Sequence, residues 1–231
     1  MRTELWGKYE VNLAQKGYGG TSAVYFGIDS LNQKKVAIKK MANIALGLKE
    51  AWIMNIYGKN EWLVEFFDFF IHDNHACIVM EQLSGSVLDS LSEKEAVKVT
   101  INLLKGLQFL HSKGILHADI SPRNIILTNK NTLSLKIIDF ESAKLKDLEG
   151  VYKGEVKNWI FAPPSSKEID DSYDFYSAAA VCTYVLTGEV KTQNITHAKL
   201  KVILEKAMNK DPKQRYRKAA DFIQDLETYD V

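Results

Sequence analysis

The sequence predicts an α+β protein in which strands come first and helices follow. Three observations predict it. Up to residue 83, strand-like segments are separated by turn residues, and only one segment has helical periodicity. Beyond that point the long apolar patterns are helical, over 92–114, 173–188 and 219–226. Between the first two of these helices, residues 115–141 read as a short hairpin carrying polar side chains on its loops.

In chain order, Tyr9 to Gly27 reads YEVNLAQKGYGGTSAVYFG, two β-like segments around a glycine-rich turn. Gly17 and Gly19 would let the backbone approach phosphate oxygens and offer N–H groups with no side chain in the way. A hairpin turn without a ligand is the plainer reading of those residues alone. Lys35 to Lys40, KVAIKK, is an alternating strand. Glu50 stands early in an apolar-periodic segment with Ala51, Ile53, Met54 and Ile56, expected to form a short, weakly capped helix. Residues 62–83 read as two strands joined by a turn at Asp73-Asn74. Turn geometry accounts for His72, His75 and Cys77 better than a metal site does, because no second ligand pair is evident.

Ser92 opens a helix, with Ser92-x-x-Glu95 a capping box, and its apolar stripe runs through Val99, Leu103, Leu107 and Leu110 to His111 before Gly114 ends it. Tyr173 to Gly188, YDFYSAAAVCTYVLTG, is an apolar helix whose small residues suit it to the centre of a helical layer. A last amphipathic helix contains Ala219, Phe222, Ile223 and Leu226. No internal repeat or low-complexity linker interrupts the chain.

The stretch ILHADISPRNIILTNKNTLSLKIIDFE, 115–141, holds the chemistry. Asp119 and Asn124 lie five positions apart, and Asp139 follows the apolar run Leu135 to Ile138. Two carboxylates and an amide on loops bracketing a hairpin suit phosphoryl transfer, where a protein holds Mg²⁺, orients a nucleophile and neutralises charge. Asp119 would accept a hydroxyl proton, and Asn124 and Asp139 would hold the metal.

HADISPRN followed by IDFE resembles the catalytic loop and metal-binding loop of eukaryotic-type protein kinases, written HRDxKxxN and DFG. The resemblance extends along nearly the whole chain in family order. Gly17, Gly19, Ser22 and Val24 align with GxGxxGxV, and Val36-Ala37-Ile38-Lys39 matches VAIK. Met80-Glu81-Gln82-Leu83 matches the hinge, with Met80 as gatekeeper. Ala162-Pro163 matches the start of APE, the helix of Asp174 matches DxWSxGxxxYxxLTG, and NKDPKQR matches DPxxR.

What the resemblance implies is a bilobal fold, with a twisted antiparallel sheet and one helix over residues 1–83 and a shortened, mainly helical lobe over 84–231. It implies ATP and Mg²⁺ as cofactors. Lys39, ion-paired with Glu50, would bind the α- and β-phosphates. Gly17, Gly19, Ser22, Val24, Ala37, Met80, Glu81, Leu83 and Ile126 would line the nucleotide site. Asp174 would brace the catalytic-loop backbone. The implied activity is a protein kinase, with serine or threonine ahead of tyrosine as acceptor. Two alternatives stay open: a nucleotide-binding pseudokinase, and a small-molecule kinase of the aminoglycoside or choline type.

Departures from the pattern carry their own expectations. Ala118 replaces the arginine that reads an activating phosphate, so none should be needed. Glu141 replaces the glycine of DFG, and Pro164 replaces the glutamate of APE, with Glu168 expected to pair with Arg215 instead. Ser121 replaces the lysine that stabilises the transferring phosphoryl group. Arg123 and Lys157 are the replacements in view, Lys157 standing where the family keeps a threonine, as if the pair were exchanged. Only about 20 residues separate Gly188 from Asp211, so substrate-docking helices and loops should be truncated. That implies a protein substrate presented by a larger complex or recognised by few contacts.

The bulk composition describes an ordinary soluble globular protein. Of 231 residues, 46% are hydrophobic and 26% charged, with a formal net charge of +1. Such a balance gives no reason to expect nucleic acid or a membrane surface as partner. Cys77 and Cys182 are far apart, which argues against a disulfide framework. With no apolar signal-peptide core and no run near ~18 apolar residues, a cytoplasmic location is expected.

Overall fold

The computed structural model describes residues 2–18, 22–147, 152–153, 160–164 and 168–229. The chain forms two compact units, Met1–Asn60 with Val64–Ser84, and Glu61–Leu63 with Gly85–Val231.

The first unit holds strands β1 (Thr3–Trp6), β2 (Tyr9–Tyr18), β3 (Ser22–Asp29) and β4 (Lys35–Met41), helix α1 (Ile44–Tyr57), and strands β5 (Phe66–His72) and β6 (His75–Glu81). The strands pair antiparallel in the order β1-β2-β3-β4-β6-β5. Alternation sorts each strand between two faces. Val36 and Ile38 of β4 join Trp6, Tyr9, Val11, Cys77 and Val79 in one buried cluster. The sheet curls until its outer strands meet: Tyr9 donates its hydroxyl to Asp68 at 2.8 Å, and Trp6 stacks on His72 with ring centroids 4.8 Å apart. The β5–β6 turn falls on Asp73 and Asn74, both left-handed at φ 48° and 58°, a conformation these two residue types adopt at low cost.

Helix α1 differs from expectation. It begins six residues before Glu50 and is properly capped, the Asn43 side chain accepting the N–H of Leu46 at 3.0 Å. Gly47 sets how near it sits to the sheet, since a β-carbon there would lie 2.5 Å from that of Ala76. Strand β1 was not expected at all; only Trp6 of its four residues is buried, so it carries no alternation to read.

The second unit contains β7 (Ser86–Val87), α2 (Glu93–Ser112), β8 (Ile115–Leu116), β9 (Ile125–Asn129), β10 (Ser134–Ile137), β11 (Lys144–Leu145), β12 (Tyr152–Lys153), β13 (Glu168–Ile169), α3 (Ser172–Thr187), α4 (Ala198–Ala207) and α5 (Ala219–Glu227). The capping box of α2 is complete, with Ser92 and Glu95 each satisfying the other's backbone. Its buried stripe, Val99, Leu103, Leu107 and Leu110, packs against α3 and α5. Ala178, Ala179 and Ala180 of α3 are wholly buried, so backbones approach closely around this helix. The stretch expected to be truncated after Gly188 still builds the ten-residue α4, capped by the ring of His197. Among the described residues no helix is long and apolar enough to cross a membrane.

Candidate active site

Just beyond α2, Gly114, with a φ of 69°, turns the chain into β8 and then into the loop 117–124. A buried carboxylate shapes that loop. Asp174, at 0% exposure on α3, accepts the N–H of His117 at 2.9 Å and of Ala118 at 3.0 Å. His111, at the end of α2, donates Nε2–H to the same carboxylate at 2.8 Å. His117 donates through Nε2 to the carbonyl of Ile138 at 3.1 Å and accepts the Asp119 N–H through Nδ1 at 3.3 Å, which makes it the Nε2–H tautomer. Its ring meets the buried Phe140 edge-on, centroids 5.0 Å apart.

These contacts bring Asp119, Asn124 and Asp139 to one place. Pro122 starts a 3₁₀ turn, Pro122–Asn124, that closes with the Asn124 N–H on the Ser121 carbonyl at 3.0 Å. Asn124 then donates Nδ2–H to the carbonyl of Asp119 at 2.8 Å and to its carboxylate at 3.2 Å. Both partners are acceptors, so the amide nitrogen is the atom facing Asp119 and the amide oxygen is turned to the other side. The N–H of Ile138 returns to the carbonyl of Asn124 at 2.9 Å, which anchors the start of the Asp139 loop. Asp139 itself is left-handed at φ 65°.

In the first unit, Lys39 donates to both carboxylate oxygens of Glu50, at 2.9 and 2.8 Å, with side-chain exposures of 6% and 1%. Burying an ion pair costs desolvation that stability alone rarely offsets, which marks this pair as a candidate for function. Register puts Gly17, Val24 and Lys39 side by side across β2, β3 and β4, and Ala37 beside Met80. Directly paired residues share a face. Val24, Ala37, Lys39 and Met80 therefore lie on one face of the sheet, opposite the Trp6 cluster.

The remaining candidates are distributed as follows. Ser22 opens β3, Glu81 closes β6 with its N–H given to Glu65, Leu83 follows it half-buried, and Ile126 is half-buried in β9. Gly19 and Lys157 lie outside the described residues, as does the Glu168 side chain expected to pair with Arg215. The Arg215 guanidinium donates to the carbonyls of Asn209, at 2.7 Å, and Lys210, and burial pulls its pKa below the ordinary value. Arg217 pairs with Asp170. His75 binds the Asp73 carbonyl, and Cys77 is buried in the sheet core. His72 meets Glu4 and Asp73, but the Lys40 ammonium already stands 3.5 Å from the same Asp73 oxygen. Sequence reasoning passed over His111 as a helix end; its position one residue short of the Ser112 terminus was the only signal.

A family model for the protein kinase domain matches residues 11–231. The chain belongs to the protein kinase domain family. Enzymes of this family in general use ATP and Mg²⁺. Among relatives, this kinase domain is 32% identical over 199 residues to serine/threonine-protein kinase STE20 of Candida glabrata, covering 80% of this chain and 22% of that protein. It is 29% identical over 216 residues to serine/threonine-protein kinase pakA of Talaromyces marneffei, covering 87% and 33%. With serine/threonine-protein kinase D of Synechocystis sp. it shares 27% identity over 271 residues, covering 98% and 53%. The kinase domain thus spans well under two thirds of the length of these relatives.

Proposed function

We propose that this kinase domain, residues 1–83 and 84–231 forming its two lobes, is an active ATP-dependent protein kinase acting on serine or threonine. The observation that carries this reading is the bond between Asn124 and the Asp119 carboxylate. It ties the proposed base to a proposed metal ligand, which a chain that only binds nucleotide has no need to keep in register. Relatives named as serine/threonine-protein kinases support the choice of acceptor.

In this reading Asp119 accepts the proton of the substrate hydroxyl as its oxygen attacks the γ-phosphorus and ADP leaves. Lys39, held by Glu50, binds the α- and β-phosphates. Gly17, Gly19, Ser22, Val24, Ala37, Met80, Glu81, Leu83 and Ile126 contact the nucleotide. The Asn124 amide oxygen and the Asp139 carboxylate are hard oxygen donors of the kind Mg²⁺ takes. Bound there, the metal supplies charge neutralisation at the phosphates. Ser121, 3% exposed, is the small hydroxyl of an exchanged pair whose cation is Lys157. The acceptor is a protein, presented by a larger complex or gripped by few contacts. Two free buried cysteines fit a reducing, cytoplasmic setting.

The test is transfer of labelled γ-phosphate from ATP with Mg²⁺ to the protein itself and to a mixed protein extract, followed by identification of the labelled residue type. Label on serine or threonine that disappears in Asp119→Asn is expected. Nucleotide binding without any label would favour the pseudokinase or small-molecule reading.

A further inference from the structure

Tyr152 belongs to the stretch of low hydrophobicity between Asp139 and Ala162, yet it is wholly buried. It belongs to one buried cluster with Leu116, Ala118, Ile169 and Tyr173. Its backbone pairs with Ile169 across β12 and β13. Its hydroxyl donates to Asp171 at 3.1 Å. The other oxygen of Asp171 lies 4.0 Å from Nδ1 of His111, a buried nitrogen with no hydrogen-bond partner, and the far side of that ring donates to Asp174. Asp174 in turn holds the N–H groups of His117 and Ala118.

Two relationships therefore link Tyr152 to the residue just before Asp119. It shares one buried apolar cluster with Ala118. It is also bonded to Asp171, whose second oxygen stands near the His111 ring that donates to Asp174. Burial and the Asp171 carboxylate push the phenol well above its ordinary pKa, so the hydroxyl remains a donor at working pH. An arginine at position 118 would demand a neighbouring anion; alanine instead presents a small apolar surface that joins the cluster of Tyr152.

We propose that Tyr152 is a positioning residue for Asp119: buried in one cluster with Ala118 and bonded to Asp171, it holds the catalytic loop in its working shape, doing with an aromatic side chain what an added phosphate would do through an arginine. The activity consequence rests on the kinase reading; the structural consequence does not.

The test compares Tyr152→Ala and Tyr152→Phe with wild type in the full chain, by phosphoryl-transfer kinetics and by amide hydrogen exchange. Loop misplacement of about 1 Å costs about 10²-fold. Tyr152→Ala should lower kcat between about tenfold and a hundredfold, leave KM for ATP within about twofold, and speed exchange over 115–120 while α5 exchanges as before. Tyr152→Phe keeps the ring and should recover most of kcat. Wild-type kcat and wild-type exchange over 115–120 in Tyr152→Ala would overturn the proposal. If Tyr152→Ala speeds exchange throughout the second unit, Tyr152→Leu replaces it, and equal kcat for the Leu and Phe variants is then the contradicting result. If wild type transfers no phosphate, the kinase reading has failed, and exchange over 115–120 alone decides the role of Tyr152.

Discussion

The carboxylate of Asp174 accepts the N–H of Ala118 at 3.0 Å, and Ala118 is held in left-handed backbone at φ 62°. A residue with a β-carbon pays about 1–2 kcal/mol for that conformation. A hydrogen bond to a charged group returns about 1.5–3 kcal/mol, so one buried side chain on α3 offsets strain stored beside Asp119. Asp174→Asn keeps the size but loses the charge and one acceptor oxygen. It should lower stability by about 3 kcal/mol, at ~2–4 °C in Tm per kcal/mol, and slow phosphoryl transfer at least about tenfold. A thermal melt matching wild type would sink the idea of a strained loop held by this carboxylate.

Lys39 and Glu50 make a second, separable case. Lys39→Met removes the ammonium bonded to both oxygens of a carboxylate at 1% exposure, which should cost about 3–5 kcal/mol in urea unfolding. Adding Glu50→Leu removes the buried charge and should recover most of that stability without recovering activity. Recovery of neither, or of both, would show that the pair is not there for phosphate binding.

The capping box predicts a pH dependence. The Glu95 carboxyl is held below its ordinary pKa by the Ser92 hydroxyl and N–H. A group whose folded pKa is depressed contributes stability above its unfolded value and loses it as pH falls through the folded one. Ser92→Ala should therefore be less stable near neutrality, by about 1 kcal/mol for the lost cap. Below the ordinary glutamate range the two melting curves should draw together. A gap that widens in acid would contradict the assignment.

The exchanged pair is tested on its cation. Removing one preorganised stabilising donor typically costs about 10²-fold or more in rate, so Lys157→Ala should lower kcat by that order with nucleotide affinity little changed. An unaltered rate would leave Arg123 as the remaining candidate.

Much of this was legible because the local chemistry is strict. The strand around Lys39, the turn at Asp73-Asn74, the Ser92 cap and the spacing of Asp119, Asn124 and Asp139 each rest on residues that admit few alternatives. What escaped notice lacked such marks. Strand β1 buries a single residue, and α1 starts in the run IALGLK, whose apolar residues show no period until the helix is seen to be capped by Asn43. Helix α4 has only ten residues and a histidine cap. The burial of Tyr152 depends on Ile169 and Tyr173, contributed from later in the chain. His111 looks like an ordinary helix end until the fold brings Asp174 to it from 63 residues away.

Asp119 is proposed as the residue that takes the substrate proton. Single-turnover transfer of γ-phosphate, with ATP affinity measured in parallel, tests that most directly. Wild type should transfer phosphate, and Asp119→Asn should do so at least about 10²-fold more slowly with ATP binding unchanged. Equal rates for the two proteins, or ATP binding by wild type with no transfer at all, would contradict it.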